Sequence, residues 1–168
     1  MVVATANFIR AVKFRQTCPW CVLSGTSGAG KSHLAKRVYR WWKETGMFYA
    51  PANGRGATLV RPGQWVSWPD FILECRQGDS SRMEDMFDDQ LLVLDDIGAG
   101  TDSRGWMTDK LHHVLERRLE DSTKATFITI NLSLVQVAET YGQRVASRMI
   151  RRGKERFIEV DLPDFKCI

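Results

Sequence analysis

The sequence has 168 residues, of which 43% are hydrophobic and 26% are charged, and this composition suits one folded domain with a single core. Its apolar runs are all shorter than the roughly 20 residues that cross a bilayer, and its N-terminus is too polar for a secretory signal. We therefore expect a cytoplasmic protein with no membrane partner. The net charge is only +4, but basic residues concentrate in 31–43 and 144–156 and acidic residues in 78–89. This polarisation indicates a protein that contacts phosphates on one side.

Apolar periodicity and turn residues divide the chain into alternating helices and strands. In chain order, the predicted elements are a helix at 6–15, a strand at 20–25, a helix at 31–46, a loop or loose hairpin at 49–64, a strand at 65–68, a helix at 69–77, an acidic linker at 78–89, a strand at 90–98, a helix at 106–122, a strand at 125–131, helices at 133–142 and 143–152, and a strand at 156–162. This alternation implies a doubly wound α/β fold, with a parallel sheet covered on both faces. We expect a short N-terminal helix or arm, 1–19, and one core domain, 20–168.

The four cysteines include the pair Cys18 and Cys21 in the motif CPWC. Such a pair resembles a thioredoxin-type redox motif or half of a zinc site. A zinc site needs further ligands, and the sequence has no second C-x-x-C motif and no nearby pair of histidines. A redox pair normally opens a helix, whereas CPWC runs directly into the apolar strand CVLSG. The pattern therefore favours a structural role for these cysteines.

The segment GTSGAGKS, Gly25 to Ser32, fits a phosphate-binding loop and stands between a predicted strand and a predicted helix. Glycines let the backbone wrap around phosphates, and the N-terminus of the following helix adds partial positive charge. Lys31 is expected to reach the β- and γ-phosphates, and the Ser32 hydroxyl is expected to bind Mg²⁺. The residues predicted to contact nucleotide are Gly25, Thr26, Ser27, Gly28, Ala29, Gly30, Lys31, Ser32 and His33.

Acidic and amide side chains end two later strands. The strand LLVLDDIG ends in Asp95 and Asp96, and buried carboxylates are costly unless they have partners or a function. Asp95 suits Mg²⁺ binding, and Asp96 suits the activation of an attacking water. Asn131 ends the strand TFITIN, where its amide could hold that water against the γ-phosphate. By itself an asparagine there is also typical of a simple strand-to-helix turn.

Two arginines follow in YGQRVASRMIRR, where Arg144 and Arg148 are four residues apart and share one helical face. Arginine presents a planar set of donors that suits phosphate and stays charged. An arginine that a neighbouring subunit supplies is a common way to complete a phosphoryl-transfer site. Arg144 and Arg148 are therefore both candidates for contact with the phosphates of a bound nucleotide.

Four segments of the sequence resemble, in their order and spacing, motifs of AAA+ ATPases of the DnaC/IstB type, which are replicative helicase loaders and transposition helper ATPases. These segments are GTSGAGKS, LLVLDDIG, ITINLS and GQRVASRM. The resemblance covers about residues 20 to 160. It implies an oligomeric ATP- and Mg²⁺-dependent ATPase with a reduced or absent helical lid. It also implies that Asp95 and Asp96 are Walker B residues, that Asn131 is sensor 1, and that Arg148 is an arginine finger acting in trans. Only about 19 residues precede the first strand, so the usual N-terminal partner-binding domain is missing from the sequence. That arrangement is consistent with a compact phage or mobile-element version.

The sequence is compatible with more than one function. The main hypothesis is a loader of a replicative helicase on single-stranded DNA, and the alternative is a helper ATPase whose partner is a transposase. A small P-loop kinase fits the length but not the position of the arginines, and a non-hydrolysing scaffold does not need the filled catalytic positions.

Arg55 and Arg61 in the glycine-rich loop are predicted to contact DNA. Trp41 and Trp42 could stack on bases, although core packing is favoured for at least one of them.

Overall fold

The computed structural model describes residues 1–14, 19–45, 48–49, 59–60, 63–98, 105–151 and 156–160. Helices and strands alternate along the described chain, as the sequence predicts. The elements are α1 (Val2–Lys13), β1 (Trp20–Gly25), α2 (Lys31–Thr45), β2 (Phe48–Tyr49), β3 (Leu59–Val60), β4 (Gly63–Ser67), α3 (Trp68–Arg76), α4 (Arg82–Asp88), β5 (Leu91–Ile97), α5 (Trp106–Glu120), β6 (Ala125–Ile130), α6 (Leu134–Tyr141), α7 (Gln143–Met149) and β7 (Phe157–Val160). None of the described helices is long and apolar enough to span a membrane.

Five parallel strands form the central sheet in the order β4-β5-β6-β1-β7. Every residue of β6 is buried, and so is every residue of β1 except the last. Burial on both faces explains why these two strands are mostly apolar and do not alternate strictly between apolar and polar residues. The short strands β2 and β3 form a separate antiparallel pair. The predicted doubly wound parallel sheet is confirmed.

The two faces of the sheet carry different helices. Helices α1 and α2 cover one face, where Phe8, Val12, Val38 and Trp42 pack with strand residues such as Phe127. Helices α3, α4, α5, α6 and α7 cover the other face in a larger core. Residues of each strand alternate between the two cores, as the pleat of a strand requires. The sheet therefore separates the molecule into an α1/α2 side and an α3–α7 side.

The structure corrects three of the predicted boundaries. The acidic linker at 78–89 contains helix α4, because Met83 and Met86, three residues apart, both bury their side chains against the core. The many charges around those two methionines obscured the helical period. The predicted strand at 65–68 starts at Gly63 and ends at Ser67, and Trp68 already belongs to α3, whose first turn contains the proline. The leading helix starts at Val2 rather than at residue 6.

The cysteines that the structure describes are free and buried. Burial raises the pKa of the Cys21 thiol to about 12, so this residue has almost no reactive thiolate at neutral pH. The Cys75 thiol is also shifted upward in pKa, chiefly by burial. Cys18 and Cys167 lie outside the described residues. The state of Cys21 agrees with a structural role for that position.

Arg118 of α5 is a fully buried charged side chain that joins three elements. Its Nε donates a hydrogen bond to Thr126 Oγ1 of β6 at 3.1 Å, and Nη1 donates to the carbonyl oxygen of Met86 at 3.3 Å. Further hydrogen bonds go to the carbonyl oxygens of Asp89 and Ala125. These partners satisfy the buried guanidinium and the buried threonine together, and they fix α4 against the start of β6.

We predict that Arg118→Ala lowers the free energy of unfolding by about 3–5 kcal/mol, because it leaves a cavity and several buried polar groups without their donor. Urea denaturation followed by circular dichroism measures the effect. The matched control is Arg117→Ala on the exposed side of the same helix, which should change stability by less than about 0.5 kcal/mol. Equal unfolding midpoints for the two variants would contradict this role of Arg118.

Candidate active site

The loop from Gly25 to Gly30 joins β1 to α2 and adopts backbone conformations that only glycine takes without strain. Gly28 and Gly30 have φ values of 81° and 83°. At Gly25, where φ is 145°, a Cβ atom would lie 2.2 Å from the carbonyl oxygen of Val160 in β7. A side chain at Gly25 would therefore push the loop away from the neighbouring strand. The glycines of the motif serve loop shape and packing together.

Lys31, the first residue of α2, folds back over this loop. Its Nζ donates hydrogen bonds to the carbonyl oxygens of Gly25 at 2.8 Å and Thr26 at 2.7 Å, and the residue is only 5% exposed. Burial lowers the pKa of the ammonium group, and the negative charges of Asp96 and Asp95 act in the opposite direction. The structure thus places the cation of the loop within the field of both the predicted metal ligand Asp95 and the predicted catalytic acid Asp96.

Strand β5 contains a β-bulge at the two aspartates. Leu94 pairs with Ile128 and Ile97 pairs with Ile130, so Asp95 and Asp96 together lie opposite one residue of β6, Thr129. The extra residue returns Ile97 to the same core as Leu94, and it turns the Asp96 side chain out of the regular alternation. Asp95 stays buried, with 5% exposure, whereas Asp96 is exposed.

Thr129 holds this bulge with a single hydroxyl group. The hydroxyl donates a hydrogen bond to Asp95 Oδ1 at 2.6 Å and accepts one from the backbone N–H of Asp96 at 2.8 Å. Thr129 is fully buried, so both bonds form away from water. Thr129 is not among the site residues predicted from the sequence. The feature that could have indicated it is a threonine between apolar residues near the end of a central strand.

Asp96 and Asn131 meet at the carboxyl edge of the sheet. The side-chain amide of Asn131 donates a hydrogen bond to Asp96 Oδ1, and its backbone N–H donates to the carbonyl oxygen of Ile97 at 2.9 Å. Asp96 has a φ of 63°, in the left-handed region that non-glycine residues rarely adopt. Strain of this kind persists only where the surroundings impose it, and it occurs often at functional positions. The structure thus brings the predicted water-activating acid and the predicted sensor amide together.

Arg148 of α7 is engaged within its own chain. Its Nη2 lies 2.5 Å from Glu116 Oε1 of α5, and Nη1 donates to the carbonyl oxygen of Arg144 at 3.2 Å. The hydrogen bond from Arg148 is the main influence that holds the pKa of the Glu116 carboxyl below its usual range. Arg144 itself is exposed. No described contact links Arg144 or Arg148 to the phosphate loop, so the structure does not bring these predicted residues to the site within one subunit.

The remaining predicted site residues fall into two groups. Thr26, Ser27 and His33 are exposed around the loop, Ser32 is half-buried, and Ala29 is buried against the protein. The predicted DNA contacts Arg55 and Arg61 lie outside the described residues. Near the loop, the donor set therefore consists of backbone N–H groups, a lysine ammonium and the Ser32 hydroxyl, and an acidic oxygen follows at Asp95. This set of groups fits a nucleoside triphosphate with a hard divalent cation.

We predict that Thr129→Val lowers the free energy of unfolding by about 1–3 kcal/mol, because valine has the same shape but leaves the Asp95 carboxylate and the Asp96 N–H without their shared partner. Thermal and urea denaturation measure the loss. Thr129→Ser, the matched control, keeps the hydroxyl and should retain most of the stability. If Val and Ser variants were equally stable, the hydroxyl would not be what holds the bulge.

No protein-family model matches the chain, and no curated protein matches it in sequence. Solved structures are similar to it. The DnaC helicase loader has a TM-score of 0.66 and 19% identity, over 94% of this chain and 85% of that one. DnaI has a TM-score of 0.67 and 22% identity, over 96% of this chain and 82% of that one.

A third similar structure is the replication initiator DnaA bound to AMPPCP and single-stranded DNA, with a TM-score of 0.66 and 17% identity. This match covers 94% of the present chain but only 45% of the DnaA chain. At identities from 17% to 22%, these similarities establish the fold of the chain but not its specific role. The chain has the α/β fold of AAA+ P-loop domains and is structurally similar to DnaC and DnaI helicase loaders and to DnaA.

Proposed function

We propose that this protein is an oligomeric AAA+ ATPase that binds and hydrolyses ATP in order to load or remodel a replicative helicase on single-stranded DNA. The main support for this proposal is the β5 bulge, which keeps Asp95 buried and turns Asp96 outward to its hydrogen bond with Asn131. A protein that only bound nucleotide would have no need of a strained acid next to a polar amide. The fold shared with DnaC and DnaI supports the replication role.

The proposed chemistry assigns each group a step. The loop N–H groups and the Lys31 ammonium bind the β- and γ-phosphates and stabilise the charge that develops on them. Asp96 accepts a proton from the attacking water while the Asn131 amide orients that water. The water oxygen bonds to the γ-phosphorus as the bond to the β–γ bridging oxygen breaks, and ADP leaves. Magnesium, held by Ser32 and Asp95 when bound, supplies positive charge that offsets the negative charge of the phosphates.

Arg148 completes the site in trans in this proposal. The arginine lies on α7 and pairs with Glu116 in its own subunit. We propose that it leaves this pair to contact the nucleotide of a neighbouring subunit. A guanidinium that arrives from outside neutralises transition-state charge that Lys31 alone leaves uncompensated. ATP hydrolysis then depends on assembly. Such coupling suits a helicase loader, in which ATP should be hydrolysed only after the subunits have assembled.

The two halves of a shared site can be tested separately. We expect Lys31→Ala to abolish nucleotide binding, and Arg148→Ala to retain binding but lose at least about 100-fold in turnover, because it removes a transition-state contact. Arg151→Ala, an exposed neighbour on the same segment, should turn over ATP normally. Phosphate release and fluorescent-nucleotide binding measure the two properties.

Mixing Lys31→Ala with Arg148→Ala protein then tests the action in trans. In a mixed assembly, some interfaces combine an intact loop with an intact arginine, so partial turnover should return. Light scattering first establishes that the two variants co-assemble. If the co-assembled mixture stays inactive, Arg148 does not act as a finger in a neighbouring site, and normal turnover by Lys31→Ala would remove the site assignment altogether.

The partner distinguishes the loader from the transposition helper. The tagged protein is used to capture proteins from its native host, with ATP and without it. We expect a hexameric replicative helicase to be enriched, with a dependence on ATP because the nucleotide controls assembly. Enrichment of a transposase in place of a helicase would support the alternative function and contradict the loader role.

A further inference from the structure

The helices on the two sides of the sheet differ in their balance of charge. Helices α1 and α2 contain seven basic residues and one acid, whereas α3, α4, α5, α6 and α7 together contain seven basic residues and nine acids. Lys31 is used in the phosphate loop, and the other six basic residues of α1 and α2 are all exposed. We call this surface the basic face, and it consists of Arg10, Lys13, Lys36, Arg37, Arg40 and Lys43.

The two helices that carry the basic face lie on the same side of the sheet. Phe8 and Val12 of α1 and Val38 and Trp42 of α2 point into one core, which turns the opposite sides of the two helices outward together. On α2, Lys36, Arg40 and Lys43 follow one another at separations of four and three residues and so form one stripe, and Arg37 lies beside it, three residues before Arg40. The stripe has a single acid, Glu44, at its C-terminal end.

Aromatic rings accompany these cations. Lys36 Nζ lies 5.1 Å from the centroid of the Trp65 ring, and Lys43 Nζ lies 5.6 Å from that of Tyr39. Trp41 is half-buried, with its ring 6.4 Å from that of Trp42 in an edge-to-face arrangement. Trp42 is buried and serves the core, while Trp41 and Tyr39 keep part of their surface accessible beside the cations.

From this arrangement we infer that the basic face of α1 and α2 binds single-stranded DNA, with the arginines and lysines on the phosphates and the half-buried rings against the bases. Six exposed cations with one acid complement a polyanion, and their binding to phosphates releases counterions. Accessible aromatic side chains among the cations favour a single strand, because only unpaired bases offer their faces for stacking. The inference deepens the proposed function, on which it rests, by naming the surface that holds the DNA.

The test uses fluorescence anisotropy with a labelled thymidine 20-mer over a series of salt concentrations. The variant Arg37→Gln/Arg40→Gln removes two central charges and leaves the cation–ring pairs of Lys36 and Lys43 in place. Its affinity should fall about tenfold or more at low salt, and the salt-dependence slope should decrease by about 1.4, or about 0.7 for each lost phosphate contact. The control Arg76→Gln/Arg117→Gln removes the same charge from the opposite side of the sheet and should bind like the original protein.

Further arms separate the partner classes and the two proposals. A duplex of the same length and vesicles with 30% phosphatidylserine replace the 20-mer in parallel measurements. Tighter binding to the duplex or to vesicles than to the single strand would overturn the inference, and so would equal DNA binding by both double variants. Nucleotide binding is measured on every protein: if it is normal while Arg37→Gln/Arg40→Gln still binds DNA fully, the basic-face inference fails and the proposed ATPase stands. If the unaltered protein binds no nucleotide, the proposed function itself fails.

Discussion

The candidate site depends on one buried hydroxyl group. Thr129 lies in β6, the central strand that is fully buried, and it connects the side chain of Asp95 with the backbone of Asp96. A polar group in that position would destabilise the sheet if it had no partners. Both of its hydrogen-bond partners are at the β5 bulge. The same two hydrogen bonds therefore satisfy the threonine hydroxyl and fix the shape of the acidic end of β5. The bulge then gives two adjacent aspartates different environments, one buried and one exposed.

A second buried threonine of the same strand is satisfied in a different way. Thr126 accepts a hydrogen bond from Arg118 of α5, at the opposite end of β6 from the acids. Thr126 and Thr129 face opposite sides of the sheet because their positions differ by an odd number. One threonine therefore anchors the α3–α7 side, and the other supports the candidate nucleotide site at the bulge. The two polar residues of β6 thus connect the strand to different parts of the structure.

Much of this arrangement was predictable from the sequence, because its signals are local. The positions of β1, α2, β5 and β6 follow from apolar runs, glycines and terminal acids, and the structure matches them within a residue or two. The phosphate loop and the meeting of Asp96 with Asn131 follow from the parallel order of strands. The bulge was not predictable, because it depends on a pairing between residues 34 apart. Helix α4 was missed since only two buried methionines mark it among exposed charges.

In the proposed ATPase, the Arg148–Glu116 pair would connect the state of one subunit to the presence of another. An arginine that is held ready for a neighbour must not remain desolvated and unpaired in the isolated subunit, because an uncompensated buried charge is strongly destabilising. Glu116 supplies that partner, and the hydrogen bond from Arg148 holds the pKa of this carboxyl below its usual range. In the proposed assembly, a neighbour's triphosphate carries more negative charge than one carboxylate, so we expect Arg148 to exchange Glu116 for the phosphates only when a nucleotide-loaded subunit docks. In the proposed ATPase, the same ion pair that stabilises the free subunit therefore makes hydrolysis a consequence of assembly.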